Sequence, residues 1–208
     1  MRPLSQADRP LVDALLVART RWAQQHNRPH HGHNLALLNL LEDIHEDTEV
    51  IGMLEESDLI GILALDRDAP LVGWTTAERE EPALTVTSAI THPARHGERL
   101  ARLAALWLSD YTARLPGPLD WVRTAVPDSE LATYLQVVCG WHLVRESRDP
   151  DGHRAYRLQL RARTTPDLHH LVAGSAELAA HHQPATPSGD PAASPAPDDR
   201  ARPDLLHR

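Results

Sequence analysis

The residues best placed to do chemistry lie in one stretch of the chain, residues 91–108, with the sequence THPARHGERLARLAALWL. A β-type run leads into a His-Pro step and then into a polar turn that contains Gly97. A helical apolar pattern follows at once, with Leu100, Leu103 and Trp107 on one face. The first backbone N–H groups of a helix lack intrahelical partners, and the helix dipole favours negative charge there. The junction therefore predicts a site for the phosphates of a cofactor, with a plain polar turn as the structural alternative.

Composition excludes several other classes of protein. The chain has 208 residues, a formal net charge of −8 and arginine as its only strong cation, so neither a lysine Schiff base nor a nucleic-acid partner is expected. Cys139 is the single cysteine, which allows no internal disulfide. The histidines have no partners at a recognised ligand spacing, so no metal site is expected. Since no long apolar run or signal pattern occurs, we expect a cytoplasmic protein with no membrane segment.

The elements that must position the junction follow from periodicity and turn residues. We predict helices over 4–25 and 35–47, followed by strands over 49–54, 59–65 and 84–91. A helix then begins at 100 and ends at the stop at 115–118, and it is followed by a strand over 121–125 and a helix from Asp128 or Ser129 to Gly140. The last two elements are strands over 141–147 and 155–162. Hairpins and crossovers both occur in this order, so the fold class is α/β with a mixed sheet.

The chain divides into two parts by composition. Residues 1–163 carry all the predicted elements and form one domain. Residues 164–208 are rich in proline and alanine and contain no aromatic residue, so they cannot bury enough surface to offset the entropy of ordering. This tail is expected to be largely disordered, with a short helix over 168–181 as the element that it could form.

Residues 1–162 resemble the GNAT superfamily of acyl-CoA-dependent N-acyltransferases. The resemblance rests on the opening MRPLSQAD, the hairpin VIGMLEESDLIGILALD, the segment ITHPARHGERLARL and the closing SELATYLQVVCGWHLVRE. It implies a V-splayed sheet of about six to seven strands flanked by about four helices. It also implies acyl transfer, in the first place of an acetyl group from acetyl-CoA, to a small-molecule or protein amine, and a homodimer as a common assembly.

The family's cofactor motif aligns with residues 96–102. Its Arg or Gln position falls on His96, its second glycine on Gly97, its central glycine on Arg99 and its last small residue on Ala101. The run GERLA is similar to a variant of this degenerate type among actinobacterial-type members. The resemblance assigns cofactor binding to the backbones of two strand residues and to the turn and first helical residues: Ile90, Thr91, His96, Gly97, Glu98, Arg99, Leu100, Ala101 and Arg102. Arg99 would either crowd the pyrophosphate or pair with it.

The resemblance assigns the proton donor for the departing thiolate to a tyrosine of the closing helix, and Tyr134 is the tyrosine there. Tyr134 lies six residues before Gly140, whereas the family's tyrosine more often lies four or five before it, so a packing role is the alternative. The general base is unassigned, because the strand over 84–91 carries no carboxylate. Trp22 and Trp74 are read first as core residues and otherwise as lining of the acceptor pocket.

Two other functions stay open at this point. One is a module of the same fold that binds acyl-CoA or a partner without turnover, which the arginine in a glycine position would favour. The other is an interaction protein that recruits a basic partner through its acidic residues between Glu42 and Asp58 and through its tail.

Overall fold

The computed structural model describes residues 1–27, 38, 41, 48–67, 73–95, 99–117, 119–148, 152–170 and 172. Seven strands form one sheet in the order β1-β2-β3-β4-β5-β7-β6. Their bounds are β1 Arg2–Pro3, β2 Thr48–Glu55, β3 Asp58–Asp66, β4 Ala83–Thr91, β5 Trp121–Val126, β6 His142–Arg148 and β7 Arg154–Arg161. Every neighbouring pair is antiparallel except β4 and β5, which run parallel. The mixed sheet expected from the sequence is confirmed.

Four α-helices occur among the described residues: α1 Arg9–Gln25, α2 Thr76–Glu80, α3 Leu100–Arg114 and α4 Ser129–Cys139. The ends of α4 show why the sequence fixes its bounds. An Asp128 carboxylate oxygen accepts from the backbone N–H groups of Glu130 at 2.7 Å and Leu131 at 3.1 Å. Gly140 ends the helix with φ 77°, a conformation that costs glycine nothing.

The two faces of the sheet carry separate apolar clusters. On one face α3 and α4 cover residues such as Ile51, Leu63 and Val122. On the other face α1 covers residues such as Val50 and Ile62. Because side chains alternate along a strand, neighbours in β2 and in β3 belong to different clusters. This alternation assigns each residue near the site to one face.

Three features differ from the prediction or lie outside it. The short helix α2 was not predicted, although Thr75 and Glu78 form a capping box in which the Glu78 carboxylate accepts from the Thr75 N–H at 2.7 Å. The predicted helix over 35–47 is described only at Leu38 and Leu41, both helical. Leu168 and Val172, which lie in the predicted tail, pack into the α3 cluster.

The segment after β7 is tied to α3 by polar contacts. The Asp110 carboxylate, which is fully buried, accepts from the backbone N–H of Thr165 at 2.7 Å and from the Arg114 guanidinium at 2.8 Å. A one-turn 3-10 helix, Leu168–His170, stands where the tail helix over 168–181 was expected to begin. The rest of that expected helix, and the expected disorder, lie outside the described residues.

Candidate active site at the fork of the sheet

The sheet opens between β4 and β5. These strands pair from Ala83 opposite Trp121 to Val86 opposite Thr124, and both continue past the last pair. Thr124 Oγ1 donates to the Val86 carbonyl oxygen at 3.0 Å, where the strands part. The open edge, defined here as residues 87–91 of β4, still pairs on its other side with β3 as far as Thr91 opposite Gly61. The V-splayed sheet expected from the sequence is therefore present.

A β-bulge bends β4 away from β5. Ser88 lies opposite Ala64 and Val86 opposite Leu65, so Thr87 is one residue in excess in β4. Such a bulge disrupts the ladder locally and increases the twist of its strand. Thr87 Oγ1 donates to the Ala64 carbonyl oxygen at 3.3 Å, which holds the extra residue to β3 rather than β5.

A cavity of about 580 Å³ fills the fork. Its walls come from the open edge, from Ala101 and Ala104 of α3, from Leu131 and Leu135 of α4, and from Arg19 and Trp22 of α1. Because α3 and α1 cover opposite faces of the sheet, the cavity is lined from both faces. Its volume lies within the range of about 300–1,000 Å³ that is typical of small-molecule sites.

The start of α3 lies beside the cavity. Leu100 is buried and Ala101 lines the cavity, whereas the Arg99 and Arg102 side chains are exposed. Arg99 has φ 54° and ψ 33°, the left-handed conformation in which glycine is favoured. The backbone therefore keeps a glycine-type geometry at the position aligned with the family's central glycine. The other predicted turn residues, His96, Gly97 and Glu98, lie outside the described residues.

The structure places Tyr134 near the start of α3. Burial raises the pKa of Tyr134, as does a hydrogen bond with the Cys139 thiol, and the charges of Arg99 and Arg102 act in the opposite direction. Tyr134 therefore lies close enough to Arg99 and Arg102, two predicted cofactor residues, for their charges to affect its pKa. Leu131 and Leu135 of the same helix line the cavity, and Tyr134 packs against the core instead.

Two carboxylates at the start of α4 line the cavity, Asp128 and Glu130. Sequence reasoning assigned Asp128 only a capping role and did not single out Glu130 as a site residue. The signal available was their position directly after β5, since functional side chains collect where the strands of an open sheet end. By contrast Glu81, which flanks β4, forms an ion pair with the Arg123 guanidinium at 2.5 Å.

On the α1 face, the cavity meets a tryptophan and an arginine. The Arg19 guanidinium carbon lies 4.8 Å from the centroid of the Trp22 ring, and the His26 ring stacks on the same indole at 4.5 Å. Trp74, the other tryptophan considered for this role, is 7% exposed and lies under the Arg123 guanidinium. Among residues with described side chains, no group of three metal-ligating residues is positioned to hold an ion.

The arrangement of strands and helices matches known structures. An acetyltransferase from Thermus thermophilus has TM-score 0.53 and 17% identity, covering 77% of this chain and 94% of its own. A GNAT-family acetyltransferase from Listeria monocytogenes has TM-score 0.57 and 15% identity, covering 77% and 92%. A GNAT-family protein from Desulfovibrio desulfuricans has TM-score 0.55 and 13% identity, covering 78% and 98%.

These likenesses and the fork define the class: the chain has the fold of the GNAT superfamily of acyl-CoA-dependent N-acyltransferases. No protein-family model matches the sequence, and the comparison with curated proteins found no match. No helix in the described part of the chain is long and apolar enough to cross a membrane.

Proposed function

We propose that the protein transfers an acyl group, in the first place acetyl, from acyl-CoA to the amine of an acceptor. The observation that carries this proposal is the fork cavity, which is lined by residues from both faces of the sheet. A transfer between two substrates needs one chamber that holds both in line, because this positioning accounts for much of the rate enhancement.

The residues around the fork suit a thioester cofactor with a phosphate-bearing end. The His92 N–H donates to the Ile60 carbonyl oxygen at 2.8 Å, so in the alternating antiparallel ladder the backbone groups of Ile90 face β3 and those of Thr91 face the open side. The Thr91 groups would be available to the amide groups of a pantetheine arm. Alanines at 101 and 104 leave room for that arm beside α3. The first-turn N–H groups of α3 and the exposed side chains of Arg99 and Arg102 would face the phosphates, together with His96, Gly97 and Glu98.

Arg99 assists rather than blocks this binding in our proposal, because its side chain is exposed and does not line the cavity. Replacement by glycine suits the positive φ of 54° and removes one exposed cation. Arg99→Gly is therefore expected to keep or raise stability while weakening CoA binding by about fivefold at most, the scale of an exposed ion pair. Calorimetric titration with CoA at two salt concentrations tests this, and tighter binding by the variant would show that Arg99 obstructs the site.

The protein's own groups would handle two protons. The acyl-CoA supplies a thioester carbonyl, whose C–S bond breaks as the C–N bond to the amine forms. Tyr134 would hold the proton that the departing thiolate needs, since its raised pKa keeps the hydroxyl protonated through neutral pH. Asp128 and Glu130 are the cavity carboxylates that could take the proton released by the amine, directly or through water.

Release of free thiol from acetyl-CoA over a panel of amines tests the proposed function. Amine-dependent thiol release with saturation in both substrates is the expected result. Binding of CoA without thiol release for any amine would instead support a non-catalytic acyl-CoA-binding module. The position of Tyr134 favours that second candidate in one respect, because this residue packs against the core and does not line the cavity.

A further inference from the structure

Arg19 is the only cation among the described residues that line the cavity, and it has no anionic partner there. The described residues place no carboxylate within ion-pair distance of its guanidinium. Half-burial in α1 lowers the pKa of Arg19, and burial is the sole cause of that shift. A partly desolvated cation without a counter-charge is costly, and a bound anion would offset that cost.

The stack on Trp22 leaves the guanidinium able to bind a ligand. The ring occupies one face of the guanidinium, at 4.8 Å from its carbon. The N–H donors of a guanidinium lie in its plane, so face-on stacking does not consume them. Stacking also restricts the side chain, which lowers the entropy lost when it binds a ligand.

The neighbours of Arg19 in the cavity are apolar or small. Trp22 and Ala23 belong to the same helix, and Ser88 and Ile90 lie on the α1 face because their partners in β3, Ala64 and Ile62, pack in the α1 cluster. One guanidinium matches a single negative charge in such surroundings, whereas a phosphate dianion would remain half compensated. The carboxylates Asp128 and Glu130 lie across the fork at the start of α4.

We propose that Arg19 binds a carboxylate of the acceptor, so that the acceptor is an amine that also bears a carboxylate next to an apolar group, as an apolar α-amino acid does. This inference rests on the proposed function and names its acceptor class. The carboxylate would lie on the α1 face and the amine would point into the fork. Arg19 is a specificity-determining residue in this proposal and takes no part in proton transfer.

Three matched acceptors test the proposal: L-phenylalanine, L-phenylalaninamide and phenethylamine. They share the ring and the amine, while the carboxylate is present, neutralised or removed. Rates are compared at equal concentrations of unprotonated amine, because the three amines differ in pKa. We expect kcat/KM at least about tenfold higher for L-phenylalanine, since hydrogen bonds to a charged group contribute about 1.5–3 kcal/mol. O-Phosphoethanolamine, an amine that bears a phosphate and no carboxylate, serves as the phosphate arm and is expected to be a poorer acceptor than L-phenylalanine; equal or better use of it would assign the cation to phosphate and overturn the proposal.

Variants of α1 provide the matched comparison. Arg19→Gln is expected to lose the preference for L-phenylalanine, mainly through a higher KM, with CoA affinity unchanged. Arg21→Gln makes the same change of charge at an exposed position of the same helix and is expected to keep the preference. Equal use of the three acceptors by the wild type, or the same preference in Arg19→Gln, would overturn the proposal. Loss of CoA affinity in Arg19→Gln would also overturn it, by assigning the cation to the cofactor.

A binding measurement separates this inference from the proposed function. N-acetyl-L-phenylalanine and N-acetyl-L-phenylalaninamide carry no ionisable amine and differ only in the carboxylate. Ligand-observed NMR is expected to show tighter binding of the acid to the wild type and equal binding of the two to Arg19→Gln. If no amine releases thiol and the acid still binds better, the transferase function fails and the anion site stands. If thiol is released and the two compounds bind equally, the anion site fails alone.

Discussion

Two of the three arginine–tryptophan stacks among the described residues have almost the same stacking distance and occupy different regions of the sheet. The guanidinium carbon of Arg19 lies 4.8 Å from the Trp22 centroid, and that of Arg123 lies 4.7 Å from the Trp74 centroid. The Arg123 side chain is fully buried and its guanidinium donates to the Glu78 and Glu81 carbonyl oxygens and to the Glu81 carboxylate. Arg19 is half-buried, lines the cavity and has no such partners among the described residues.

The difference teaches that the surroundings of such a pair decide its role. Around Arg123 the chain supplies its own acceptors, so the cation fastens α2 and Trp74 to the sheet. Around Arg19 the described residues supply none, so its N–H groups remain available to something that the cavity admits. A change in the first region should therefore alter stability, and a change in the second should alter activity.

The largest expected effect in the first region follows from Arg123→Met. The substitution keeps much of the buried volume but removes the donors to two carbonyl oxygens and a carboxylate. We expect a loss of about 3 kcal/mol in the free energy of unfolding, because the Glu78 and Glu81 carbonyl oxygens lose their donor. The Glu81 carboxylate is half exposed and contributes little to this loss. Urea unfolding measures it. A loss smaller than that of an average surface substitution would mean that the contacts of Arg123 do not hold α2 against the sheet.

The corresponding change beside the cavity is Tyr134→Phe. It removes the hydroxyl and keeps the ring packed, so we expect about a tenfold lower rate of acyl transfer at saturating amine. Stability should change little, because the lost partner is a weak sulfur group. Thiol release provides the rate. Tyr156→Phe is a matched control in β7, and a rate unchanged in Tyr134→Phe would remove this tyrosine from the mechanism.

A smaller effect, dependent on pH, is expected at Glu78 in the first region. Burial raises the pKa of Glu78, but hydrogen bonds from Thr75 and the charge of Arg145 outweigh it, so the pKa lies below the usual range. A carboxylate with a lowered pKa contributes stability above its unfolded pKa of about 4.3 and loses it as the pH falls.

The variant Glu78→Gln tests this dependence. Its deficit in unfolding free energy is expected to be about 1 kcal/mol at pH 7, the scale of a lost cap, and to shrink below about pH 4. Unfolding curves measured from pH 7 to below about pH 4 test this expectation, with Glu80→Gln at an exposed position as the control. A deficit that is constant with pH would exclude the charge of Glu78 as its source.

The smallest expected effect is on the stability of Arg19→Gln. Since Arg19 makes no hydrogen bond or ion pair with described residues, only its stacking on Trp22 is lost. We expect a change within about 0.5 kcal/mol, the size of a surface substitution. Thermal unfolding of Arg19→Gln beside Arg21→Gln measures it. A loss as large as that of Arg123→Met would show that both stacks mainly stabilise the fold. The proposed difference between the two regions would then be wrong.

The sequence by itself determined the elements, because local chemistry specifies them. Six of the seven strands were predicted to within one residue at each end, whereas β1 had no predicted bounds. Asp128 and Gly140 fixed the ends of α4 through a carboxylate cap and a left-handed turn. The splayed sheet was implied by the family resemblance of four segments within residues 1–162. Even α2 had a readable signal in the Thr75–Glu78 capping box.

Only the tertiary structure decided which side chains share the cavity. Trp22 and Trp74 were equivalent candidates in the sequence, and Arg19 could be paired with Trp22 by helical spacing but not assigned to a site. Their roles depend on which face of the sheet each side chain covers and on where β4 parts from β5. That parting depends on a single excess residue, Thr87, in a register between distant strands. Long-range register is set by packing across the whole sheet, so no local pattern encodes it.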